Sequence, residues 1–172
     1  LACPGCIARD TWPPTADADV PVGEVLAWVA SLPQLDGVTV SGGEPLDQPD
    51  EVVRLLEGVR SLGDCDLDIL LFTGRTFRAA ERAFGQVLAL VDAVVAGPFV
   101  QGSPTTHPLM GSANQELVAL TPLGARRYSN LAPGPRPIQA SIAADGRLHT
   151  VGIPNEHDLA RFSAAAGAQG LA

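Results

Sequence analysis

Gly37-Val38-Thr39-Val40-Ser41-Gly42-Gly43-Glu44-Pro45 is a short β-branched run that ends on two glycines, a carboxylate and a proline. Turn formers bound the apolar stretch on both sides, which is the pattern of a buried strand. The strand delivers the glycines at its carboxyl end, where the absence of side chains lets a ligand lie against the backbone. Glu44 adds a carboxylate for a cationic group.

On either side of this stretch the chain alternates helix and strand. Val22, Val25, Leu26 and Val29 fall at helical spacing, so residues 22–32 read as an amphipathic helix that ends before Pro33. Pro49, Asp50 and Glu51 suit the first turn of the next helix. Its inward stripe is Val52, Leu55, Leu56, Val59 and Leu62, and Gly63 is its stop. Leu67 to Phe72 is almost wholly apolar, as expected of a strand covered on both faces. Thr73-Gly74-Arg75-Thr76 turns into a helix through about Phe84, with Thr76 as its cap. A short helical piece at 86–91 precedes a strand at 92–96 and the turn Gly97-Pro98. Residues 99–116 read as loop. Such β-α-β-α-β order implies parallel strands with right-handed crossovers, and ligands in these sheets bind at the carboxyl ends of the strands. Residues 41–44, 73–76 and 97–98 therefore line one mouth.

Beyond residue 121 the pattern changes. Pro122 to Tyr128 reads as a short helix, and Pro133 to Pro137 as a rigid linker. Segments 138–142 and 147–151 flank Asp145-Gly146, a hairpin signal because that pair tolerates positive φ. A last helix is expected at about 156–166. Two regions are expected, a core over 1–121 and an extension over 122–172.

Composition narrows the function. The 172 residues are enough for one proper core, and the 46% hydrophobic and 17% charged content fits a compact chain. A net charge of −8 without a basic patch argues against a nucleic-acid partner. No apolar run approaches the roughly 18–20 residues of a membrane helix. All the cationic side chains are Arg. Three cysteines do not make a disulfide framework, and Cys65 reads as a free thiol in a turn.

The other two cysteines carry chemistry. Cys3-Pro4-Gly5-Cys6 is a tight turn that points two thiolates at one place, which suits a metal or a redox disulfide. Zinc wants four ligands, yet there is no second C-x-x-C, and His107, His149 and His157 are scattered. A thioredoxin-like pair should open a helix after a strand, and Thr11-Trp12-Pro13-Pro14 breaks any helix early.

The cysteine turn taken together with Ser41-Gly42-Gly43-Glu44-Pro45-Leu46 resembles the radical S-adenosylmethionine (SAM) enzymes, whose C-x3-C-x2-C loop holds a [4Fe-4S] cluster. Within them the chain is similar to anaerobic ribonucleotide reductase activating proteins. That likeness is carried by Cys3 to Cys6 with Thr11-Trp12, the Gly-Gly-Glu block, Leu71-Phe72-Thr73-Gly74, Val91 to Val100 and Gly111-Ser112-Ala113-Asn114-Gln115. It departs at Arg75, where that family has Tyr, and at Met110, where it has Arg.

The resemblance implies an α/β fold, an incomplete parallel (β/α) barrel with a C-terminal β-hairpin and helix. The barrel's first strand and the first cysteine of the motif are expected upstream of Leu1, so the sequence is read as a fragment. It implies that Cys3 and Cys6 ligate the cluster, and that Gly42, Gly43 and Glu44, with Thr73, bind SAM. Trp12 is expected to pack over the cysteine loop, and Asn114 and Gln115 to close a loop. The implied activity is that of a radical SAM oxidoreductase, which makes a 5′-deoxyadenosyl radical to activate a glycyl radical enzyme such as anaerobic ribonucleotide reductase. A flavodoxin or ferredoxin would supply electrons in the cytoplasm. Two other readings stay open: a radical SAM enzyme acting on a peptide or small molecule, and a non-catalytic iron–sulfur electron-transfer or binding protein.

Overall fold

A computed structural model describes residue 4 and residues 19–62, 67–134, 139–142 and 148–151. Cys3, Cys6, Trp12, Cys65 and the expected helix at 156–166 lie outside the described residues. The chain is mixed α/β and divides into two compact units, residues 1–105 with 111–131, and residues 106–110 with 132–172.

In the first unit a four-stranded sheet runs in the order β1 (Gly37–Val40), β2 (Asp68–Thr73), β3 (Ala93–Ala96), β4 (Glu116–Ala119). β1 and β2 pair in parallel from Gly37↔Asp68 to Val40↔Leu71, and β2 and β3 in parallel from Leu70↔Ala93 to Thr73↔Ala96. β4 departs from the expected all-parallel order. It lies antiparallel on β3, from Ala93↔Ala119 to Ala96↔Glu116, and begins at the last residue of the stretch that reads as loop. The chain returns directly from the carboxyl end of β3 without a helical crossover, so the added strand must run the opposite way.

The helices follow the apolar periodicity closely. α1 (Val22–Ser31) and α2 (Pro49–Ser61) match their expected spans to within a residue, and Pro49 opens α2 as predicted. α3 (Phe77–Ala83) starts where Thr76 Oγ1 accepts from the Ala79 amide, the predicted cap. α4 (Gly85–Leu88) is one short turn, and α5 (Pro122–Tyr128) is capped by Thr121. Val52, Leu56 and Val59 of α2 pack with Ala80, Val87 and Leu88 against Ile69, Leu71, Val94 and Ala96, all buried on one face of the sheet. Leu70, Ala93 and Val95 on the other face are buried as well, which explains why β2 and β3 are apolar at nearly every position.

Two aspartates are buried where β2 and β3 begin. Asp92 accepts from Arg60 Nη2 (2.7 Å), the Ile69 amide (2.8 Å) and Thr121 Oγ1 (2.6 Å). Asp68 accepts from Arg127 Nη1 (2.6 Å) and from the Tyr128 hydroxyl. These contacts fasten α2 and α5 to the amino ends of the strands and leave the carboxyl ends for the site. In the second unit β5 (Gln139–Ile142) and β6 (Leu148–Val151) form the expected antiparallel hairpin pairing.

Candidate functional site

The glycine turn leaves the ladder at once. The last β1–β2 pair is Val40↔Leu71, and Ser41, Gly42 and Gly43 are all exposed beyond it. Gly42 has φ +127°, a conformation that side chains disfavour, and a Cβ built there would meet nothing within 4 Å. Its backbone therefore faces open space, with room for a ligand. A 3₁₀ turn, Pro45–Asp47, follows and leads into α2.

Glu44 lies 8% exposed and its carboxylate is engaged by the chain itself. Oε1 accepts from the Thr73 hydroxyl at 2.7 Å and the Leu46 amide at 3.1 Å, and Oε2 from the Gly74 amide at 2.9 Å. Thr73 is 4% exposed, and its Oγ1 also accepts from the Arg75 amide at 3.1 Å. Glu44 and Thr73 are thus brought together, as the topology requires, but as partners of one another. Gly42 and Gly43 present the exposed backbone.

Arg75 adds a rim that the sequence reading left without a role. Its Nη2 lies 2.6 Å from Asp47 Oδ1, its guanidinium carbon is 5.1 Å from the Phe84 ring centroid, and its Nε is buried without a hydrogen-bond partner. Both members of the pair are partly exposed, so it adds little stability. The signal for it was the basic residue directly after Thr-Gly and the acidic residue directly after Glu-Pro-Leu.

The carboxyl end of β3 is built from backbone. The Gly97 amide donates to the carbonyls of Thr73 (3.1 Å) and Arg75 (2.8 Å), and Gly97 itself has φ +117°. Asn114 Nδ2 donates to the Pro98 carbonyl at 2.8 Å, and Gln115 Nε2 to the Gly97 carbonyl at 2.9 Å. Gln115 Oε1 accepts from the Gly111 amide at 2.7 Å, and the buried Ser112 hydroxyl accepts from the Val100 amide at 3.1 Å. The side chains of Asn114 and Gln115 therefore close the loop between β3 and β4, the structural role expected of them.

Among the described residues no group of three His, Cys, Asp or Glu side chains is arranged to hold a metal, and no helix is long and apolar enough to cross a membrane. Comparison with known families supplies the metal chemistry. The family match over the larger part of the chain makes it an iron–sulfur protein. The family described as "4Fe-4S single cluster domain" matches residues 1–118, and the chain belongs to it. No curated protein and no solved structure matches the chain.

Proposed function

We propose that the protein is a radical SAM enzyme that activates a glycyl radical partner enzyme such as an anaerobic ribonucleotide reductase. The observation that carries this reading is the open Gly42 turn at the carboxyl end of β1, in a chain that belongs to a single-cluster 4Fe-4S family. A residue with a Cβ at Gly42 would fill the space over the turn, so glycine there suits a ligand laid against the backbone. The five sequence blocks shared with anaerobic reductase activating proteins support the finer assignment.

In this reading Cys3 and Cys6 hold the cluster through their thiolates, the ligand type such clusters take. When bound, the cluster supplies one electron that cleaves the sulfonium of SAM to methionine and a 5′-deoxyadenosyl radical. The chain's part is to orient and to exclude water. Gly42 and Gly43 offer their backbone to the methionine end of SAM, Glu44 and Thr73 hold that turn, and the ends of β2 and β3 complete the wall. The sheet forms part of a barrel of the radical SAM type, and an incomplete barrel leaves its mouth open to a loop of a large partner.

The test is the full chain carrying an anaerobically reconstituted cluster, with dithionite and SAM, assayed for 5′-deoxyadenosine. Product is expected with the cluster and none after chelation of the iron. A chain that carries the cluster and makes no product would overturn the enzyme reading in favour of an electron carrier.

A further inference from the structure

We infer that Glu44 is a positioning residue, whose carboxylate, closed by Thr73 and by the amides of Leu46 and Gly74, fixes the Gly42–Gly43 turn instead of contacting a ligand. This deepens the SAM-site reading and rests on it for the identity of the ligand. An ionised carboxylate has about four lone-pair positions and no donor. Three are taken by donors at 2.7, 2.9 and 3.1 Å, and the residue is 8% exposed. Thr73 is equally committed. Its single hydroxyl proton goes to Glu44, and the same oxygen accepts from the Arg75 amide.

The geometry gives this arrangement a task. β1 and β2 are joined by ladder bonds only as far as Val40↔Leu71, and the turn begins one residue later. Gly42 lies outside the ladder, and glycine is the least constrained residue, so the turn has no stiffness of its own. Glu44 restores the connection beyond the ladder's end. One oxygen holds a local amide two residues on, and the pair of oxygens reaches the hydroxyl and amide 29 and 30 residues on. The turn after β1 is thereby clamped to the turn after β2. Recognition of the ligand then falls to the exposed backbone of Gly42 and Gly43.

The test compares Glu44→Gln, Thr73→Val, the double variant and the conservative Thr73→Ser in the full, cluster-loaded chain. SAM affinity is read by equilibrium dialysis, and hydrogen exchange is read at the Leu46 and Gly74 amides. Glu44→Gln sets an amide donor against the Gly74 N–H, while Thr73→Val removes the hydroxyl at nearly constant volume. Residues that act as one unit are non-additive. Each single variant is therefore expected to weaken SAM binding by roughly tenfold, the double by no more than about twofold further. Exchange should quicken in all three, and Thr73→Ser should restore both readouts. Loss of affinity in Glu44→Gln with Thr73→Val at the wild-type value, or penalties that multiply in the double, would overturn the inference and make Glu44 a direct ligand. Unchanged exchange at Leu46 and Gly74 in Glu44→Gln would overturn it as well. A wild-type chain that binds no SAM would sink the ligand assignment alone, because the exchange measurements still decide whether Glu44 clamps the turn.

Discussion

Gly124→Ala is expected to destabilise the protein by about 3 kcal/mol, against the sign that helix propensity assigns to it. Gly124 sits in the first turn of α5, where alanine is ordinarily better than glycine by about 1 kcal/mol. Here a Cβ would lie 2.0 Å from the Asp92 carbonyl oxygen and 2.7 Å from its carbon. Those are backbone atoms, so no side chain can rotate away. The same carbonyl accepts from the amides of Leu120 (2.8 Å) and Thr121 (3.3 Å), which tie the end of β4 and the cap of α5 to the start of β3. Relief of the clash would break both bonds and lift α5 from the sheet. For a chain of this size the loss corresponds to a fall in Tm of roughly 6–12 °C. Thermal unfolding of the variant checks it, and a Tm within about 1 °C of wild type would show that α5 moves freely against β3.

That close approach was not legible in the residue order, and the reason is instructive. Pro122 to Tyr128 announces a helix through local chemistry, with Pro at its first position and Thr before it. What that helix rests on depends on Asp92, thirty residues earlier, and no local pattern carries the distance. The same division runs through the fold. β1, α2 and β2 were readable because each is a run whose period matches one element, with turn formers at its ends. β4 was not, because Glu116-Leu117-Val118-Ala119 is four residues long and is defined by its pairing with β3. The candidate site divides likewise. Gly42 and Gly43 could be identified as an open turn from their type alone. Glu44 was read as a carboxylate available to a cation, since the donors that fill it, Thr73 and Gly74, arrive only when β2 is laid beside β1.

Asp92→Ala is expected to cost about 3 kcal/mol, the low end of the range for removing one partner of a buried ion pair, because the Arg60 side chain left behind is 32% exposed. Asp92 has a side chain 4% exposed, and its loss leaves the Ile69 amide, the Thr121 hydroxyl and one nitrogen of Arg60 facing an empty volume. Arg60 keeps its bonds to the carbonyls of Leu67 and Leu90, so the guanidinium stays in place without its counter-charge. Asp92→Asn should be milder. Its carbonyl oxygen can still accept from Ile69 and Arg60, and its amide can donate to the Thr121 oxygen. The two variants also separate charge from shape in the pH dependence. Burial alone would raise the Asp92 pKa, but the hydrogen bonds from Thr121, Arg60 and Ile69 outweigh it and hold the pKa below the ordinary 3.8. The unfolded chain therefore binds more protons in the acid range. The stabilisation is complete above the ordinary value and is lost as pH falls through the lowered one. At the alkaline end burial and the neighbouring Asp68 push Tyr128 well above its ordinary 10.0, so that group's contribution is lost as pH rises past 10. Urea unfolding across pH should show a plateau falling at both ends. Asp92→Asn should flatten the acid limb and leave the alkaline limb as it was. An acid limb unchanged in Asp92→Asn would assign it to other carboxylates and remove Asp92 as the charged fastener of α2 and α5.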